Sequence, residues 1–141
     1  MEDKINQLKS DFLQFSQWED RYKKLIELGR SLEPMEIEDQ NEKNRIKGCQ
    51  SQVWLKPSFD GKKVYFKADS DAMLVKGIIA LLVKVYSDST PDEILQTQPT
   101  FLQEIGITEH LSMNRSNGLA SMTKQIQLYA LAYKTMQGQR L

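Results

Sequence analysis

The run Ser70-Asp71-Ala72-Met73-Leu74-Val75-Lys76-Gly77-Ile78-Ile79-Ala80-Leu81-Leu82-Val83-Lys84-Val85-Tyr86-Ser87 decides the fold. Placed on a helix, its apolar residues cover almost every side, so the helix must be enclosed by other elements and forms the centre of the core. Ser70 or Asp71 can cap its start. The longest glycine-free apolar piece, residues 78–83, lies between Lys76 and Lys84. It falls far short of the roughly 20 residues that cross a bilayer, and no membrane partner is expected.

The residues just before this helix supply a sheet to lie on it. Residues 63–68 alternate Lys63, Tyr65 and Lys67 with Val64, Phe66 and Ala68, the pattern of a strand with one face on a core and one in water. Residues 52–55 are bulky and β-prone, and Asp60-Gly61 between the two runs favours a tight turn with positive φ. If residues 44–47 are also extended, the sheet has three antiparallel strands. Cys49, the sole cysteine, then falls in the loop between the first strand and the second.

Helices are predicted on both flanks. Ile5, Leu8, Phe12 and Phe15 share one helical face. Trp18, Tyr22, Leu25, Gly29 and Leu32 define a second helix ended by Pro34, and the short link suggests antiparallel neighbours packed through their aromatic residues. Downstream, Thr90-Pro91-Asp92-Glu93 and Gln98-Pro99-Thr100 start short helical pieces, with a stop at Gly106. A last helix is predicted after Asn114-Arg115-Ser116-Asn117-Gly118, with Leu119, Met122, Ile126, Tyr129, Tyr133 and Met136 as its packing seam.

With 141 residues the chain suits one domain, 1–141, that buries about two-thirds of its unfolded surface without a staple or metal. Its 19 basic and 19 acidic residues balance, which leaves no long-range attraction for nucleic acid. One cysteine cannot form an internal disulfide, and Met1-Glu2-Asp3-Lys4 lacks the basic-then-apolar order of a signal peptide, so a cytoplasmic location is expected.

Chemistry then gathers at Arg45-Ile46-Lys47-Gly48-Cys49-Gln50-Ser51-Gln52-Val53-Trp54-Leu55. A lone cysteine reads by itself as a small buried apolar side chain. Gly48 gives it a flexible backbone, and Lys43, Arg45 and Lys47 supply positive charge that would favour a thiolate. The carboxylates Glu33, Glu36, Glu38, Asp39 and Glu42 match no metal loop and read as a solvated segment. His110, the only histidine, reads as a surface residue rather than a base for Cys49. Arg115 and its neighbours lie at a helix start where an anion could be held, although capping accounts for them equally.

The segment Ile46-Lys47-Gly48-Cys49-Gln50-Ser51-Gln52-Val53-Trp54-Leu55 closely resembles the signature of the SufE family of sulfur-acceptor proteins. Three further segments resemble the same family in order and spacing: Trp18-Glu19-Asp20-Arg21-Tyr22 with Leu25-Ile26-Glu27-Leu28-Gly29, Asp69-Ser70-Asp71-Ala72 with Val75-Lys76-Gly77-Ile78, and Arg115-Ser116-Asn117-Gly118-Leu119. The resemblance implies an α+β fold, a small antiparallel three-stranded sheet packed against helices in the two-layer SufE-like (IscU-like) arrangement. It implies that Cys49 takes sulfur from the persulfide of a cysteine desulfurase, stimulates that enzyme, and passes the sulfur toward an iron–sulfur scaffold. Pyridoxal phosphate belongs to the desulfurase, and this chain is expected to bind no cofactor or metal of its own and to be a monomer or weak homodimer. Gly48, Gln52, Asp71 and Arg115 are the supporting positions so implied; for Asp71 and Arg115 a helix cap or a helix-start ion pair is the competing reading. Two other classes compete for the whole chain. One is a scaffold module in which a dimer shares Cys49 to hold a cluster or metal, since one cysteine and one histidine fall short of about four ligands. The other is a cysteine hydrolase, for which no base is identifiable.

Overall fold

The computed structural model describes residues 1–139; the last two residues of the expected 1–141 domain lie outside the described residues. Helix α1 (Glu2–Leu13) and helix α2 (Trp18–Arg30) precede a hairpin of β1 (Val53–Phe59) and β2 (Val64–Ser70). Helix α3 (Met73–Tyr86), short helices α4 (Pro91–Gln96) and α5 (Phe101–Glu104), and the long α6 (Met113–Gln139) follow. The chain is α+β, with the helices gathered around a small antiparallel sheet.

As its all-round apolar sequence requires, α3 is the enclosed element: Ile79, Leu81, Leu82, Val85 and Tyr86 are fully buried. The Tyr86 hydroxyl keeps a partner by donating to the Thr97 carbonyl at 2.9 Å, and burial pushes its phenol up to about 12. Against α3 lies α2, and the two backbones meet at glycines. A Cβ on Gly77 would run into the Leu25 carbonyl oxygen, and one on Gly29 would stand 2.9 Å from the Gly77 nitrogen. On the other side α3 packs on the sheet face made by the buried Val64, Phe66 and Ala68, while Tyr65 and Lys67 face water.

The hairpin register runs from Val53 opposite Ser70 to Phe59 opposite Val64. Gly61 takes φ of 96°, and the Asp60 carboxylate accepts from the Lys62 and Lys63 amides at 2.8 and 2.7 Å, which closes the turn and holds that carboxyl below its usual range.

The sheet has two strands, not the three expected. Residues near Arg45 make only an isolated antiparallel bridge to Trp54, through Ile46 N to Val53 O and Leu55 N to Asn44 O, both 2.8 Å. The reason is local. Asn44 is held in a turn by Asn41 and by its own amide on the Asp39 carbonyl, and Gly48 bends the chain away at φ 90°, so no length remains for a ladder. The far edge is treated alike, with Ser89 bridging Val64.

Other expectations shift. Rather than pairing with each other, α1 and α2 each turn to α3, and α1 also meets α5. Lys4 of α1 reaches the end of α3, donating to the Ser87 carbonyl at 2.6 Å and to Ser89 Oγ at 3.1 Å. The helix start predicted at Thr90-Pro91-Asp92-Glu93 forms, closed by a full capping box between Thr90 and Glu93. Helix α6 starts at Met113, before the polar cluster expected to precede it, with Ser112 Oγ accepting from the Arg115 amide at 3.3 Å, so Arg115 through Gly118 lie inside the helix. Its seam is Leu119, Met122, Ile126 and Ala130, extended by Tyr133, which stacks on Phe59; Met136 is exposed. Among the described residues no helix is long and apolar enough to cross a membrane.

Candidate functional site

Between the bridge at Arg45 and the start of β1, the chain forms a loop that rests on the first turns of α6. Gly48 adopts φ of 90°, and a Cβ placed there would lie 2.5 Å from Ser121 Oγ. The positive φ calls for glycine, and a Cβ would also require the Ser121 hydroxyl to turn aside. Cys49 follows, partly buried, with Sγ 3.7 Å from the Gly118 carbonyl oxygen, to which its S–H donates a weak hydrogen bond. Gly118 lies directly beneath the sulfur: a Cβ there would stand 3.4 Å from Sγ, in ordinary contact with it.

Burial pushes the Cys49 thiol above its ordinary pKa; Arg45 pulls the other way and loses. The basic residues upstream therefore do not make a resting thiolate, contrary to what their charge alone suggests. At neutral pH the seated sulfur is a thiol, and a nucleophile appears only when the sulfur is desolvated less or its proton is taken.

Downstream the loop is fastened by Asp71. Its Oδ1 accepts from the Gln52 amide at 3.0 Å, and its own amide donates to the Gln52 carbonyl at 3.2 Å. This overturns the helix-cap reading of Asp71: the N-cap of α3 is Ala72, with no side-chain cap, and Ser70 Oγ accepts from the Ala72 amide at 3.3 Å. Gln52 enters the site through its backbone. Arg115 is exposed and lines, with Gln50, Ser51, Gly118 and Met122, a cavity of about 250 Å³ floored by Val75 and Ile78. Thus Gly48, Cys49, Gln52 and Asp71 form one connected loop, and Arg115 stands at the adjoining cavity. His110 is exposed as expected and stacks on Trp18 with ring centroids 4.1 Å apart, lining neither concavity beside the loop.

The sequence does not pick out Ser121, and it places Gly118 just before the last helix rather than within it. Their signal was present but faint: two small residues three apart share a helix face, here the seat of the loop. The residues upstream of Cys49 line a second concavity, about 580 Å³, in which Lys43, Arg45 and Lys47 face Lys124 and Leu128 of α6. Among the described residues, no three of His, Cys, Asp and Glu cluster in a way that could hold a metal ion.

Comparison with known proteins places these residues in context. Residues 6–130 match the family described as "SufE: Fe-S metabolism associated domain". An uncharacterised SufE-like protein of Rhizobium etli is 39% identical over 127 residues, covering 86% of each chain. One from Synechocystis is 38% identical over 114 residues, 81% of this chain and 72% of that protein. Among solved structures, that of a hypothetical protein from Thermus thermophilus superposes with a TM-score of 0.78 over 94% of this chain and 96% of its own, at 23% identity. That likeness speaks for the fold alone.

Proposed function

Because this chain belongs to the SufE family, whose domain is associated with iron–sulfur metabolism, we propose that it accepts sulfur from a cysteine desulfurase on Cys49, stimulates that enzyme, and relays the sulfur to an iron–sulfur scaffold. The observation that carries this reading is the setting of the single cysteine: a partly buried thiol on a positive-φ glycine loop, seated on a helix by one weak hydrogen bond. A purely structural cysteine gains nothing from such a mount. A sulfur carrier gains shelter at rest and reach when the loop lifts.

In the exchange, Cys49 S–H gives up its proton and the thiolate attacks the outer sulfur of the donor persulfide. A new S–S bond forms to Cys49, the donor's S–S bond breaks, and the donor cysteine leaves as a thiolate that is reprotonated. No net oxidation occurs. The rate depends on thiolate fraction and access, and the resting seat suppresses both, so docking must release the loop. Gly48 is the hinge in this scheme. The Asp71–Gln52 bonds fix the downstream end, and Arg115, exposed at the adjoining cavity, is assigned to meeting the docked desulfurase. Pyridoxal phosphate is the partner's. The proposal places the protein in a cytoplasm whose reductants keep Cys49 free of disulfides.

A pull-down with the cognate desulfurase tests the proposal when read beside the enzyme's turnover. Wild type should bind and stimulate; Cys49→Ser should fold and still bind, through the surface around the loop, but should not relieve the enzyme of its persulfide. Equal stimulation by Cys49→Ser would remove the cysteine from the function.

A further inference from the structure

We infer that the basic concavity upstream of Cys49 is a docking surface for an acidic, partly apolar segment of the protein that exchanges sulfur with Cys49; this deepens the function proposed above and rests on it. The charge is local, since the chain as a whole is neutral. Lys43, Arg45 and Lys47 approach from the loop side and Lys124 from α6, with Glu42 the sole carboxylate in the lining, and that one is engaged by Arg45 at 3.2 Å.

Lys9, Lys56, Lys63, Lys67, Lys76 and Lys134 each stand against a carboxylate. Among the described residues Lys43, Lys47 and Lys124 make no ion pair within the chain. Among the described residues Lys23, Lys24, Lys62 and Lys84 also make no ion pair, so what marks this patch is that three such lysines share one lining with Arg45. Leu128, one turn beyond Lys124 and lining the same concavity, is 48% exposed, and Leu131 on the same helix face is 51% exposed. Unpaired cations beside exposed leucines fit carboxylates interspersed with apolar side chains; a nucleic-acid backbone would use the charge and leave the leucines wet. The location serves the chemistry. A partner held here lies against the residues immediately preceding Gly48, where it can lift the loop.

The test uses the full chain, a labelled peptide of alternating Glu and Leu as probe, and the cognate desulfurase, followed by fluorescence anisotropy at low and physiological salt. Lys43→Glu with Lys124→Glu should weaken both associations about tenfold at low salt and flatten their salt dependence, while the Gln pair falls between. Lys23→Glu with Lys84→Glu makes the same charge change at exposed sites away from the concavity and should change affinity by less than about twofold. Circular dichroism reads whether each variant folds. Equal weakening by both reversals, no weakening by either, or binding of a single-stranded oligonucleotide as tightly as the peptide would each overturn the inference. If the peptide discriminates as described but no version binds a desulfurase, the docking surface stands and the sulfur-acceptor reading fails.

Discussion

Two pairs of glycine-assisted contacts hold this molecule together, and they differ in kind. At the α2–α3 crossing, Gly29 and Gly77 sit in regular helices with their backbones locked face to face in the core. At the loop seat, Gly48 is in the left-handed region over Ser121, and Cys49 reaches Gly118 through a single long S–H bond. The first contact is enclosed by packed apolar side chains on both sides and has no way to open without unfolding. The second lies at the surface between two concavities, and in the proposed sulfur exchange it is released by moving a few residues. The same residue type thus serves permanence in one place and reversibility in the other.

Substituting each glycine should separate them. Gly77→Ala drives a methyl into the Leu25 carbonyl, a backbone atom that cannot swing away, and should cost about 3 kcal/mol, lowering Tm by roughly 10 °C in a thermal melt. A melt within a degree or two of wild type would show that the crossing is loose. Gly48→Ala should cost less, about 1–2 kcal/mol for the positive φ, and act chiefly on the loop: Cys49 should react faster with iodoacetamide as the sulfur leaves its seat. Adding Ser121→Gly should restore part of the protection, because it removes the atom that the new Cβ meets. If the double variant reacts as fast as the single one, the collision with Ser121 is not what lifts the loop.

A smaller effect reads the electrostatics of the seat. Since burial raises the Cys49 pKa, alkylation should climb with pH to a midpoint above that of a free thiol, and Gly48→Ala should bring it back down. Arg45→Gln should move the midpoint further up by removing the cation that opposes burial. The folded state holds this proton more tightly than the unfolded one. Its contribution is therefore complete below the ordinary thiol pKa of about 8.5 and declines as pH rises through it. A midpoint below the free-thiol value would mean that charge, not burial, governs the sulfur.

How much of this was legible in the residues depended on the range of the interaction. Local chemistry read well: the alternation of residues 63–68, the Asp60-Gly61 turn and the helix start at Thr90-Pro91 appear where the sequence puts them. The enclosed α3 follows from composition alone, because an all-round apolar helix has one place to go. The third strand failed because a bridge and a strand differ by how far the chain stays extended, and that was set by Asn41, Asn44 and Gly48 acting together. Asp71 looked like a cap because Asp before a helix usually is one; its true partner, the Gln52 amide, is 19 residues away. Arg115 to Gly118 resembled a helix start because Ser, Asn and Gly are cap residues, whereas in the structure they lie inside the helix and Gly118 lies beneath Cys49. Even the charge near Cys49 misled. Only the fold discloses that burial outweighs Arg45.

The most direct test of the central claim is the mass of Cys49 after incubation with an active cognate desulfurase and cysteine. The account predicts one added sulfur atom on the peptide carrying Cys49, removed by reductant and absent in Cys49→Ser. An unmodified Cys49 beside a desulfurase that turns over, or added sulfur on any other residue, would contradict it.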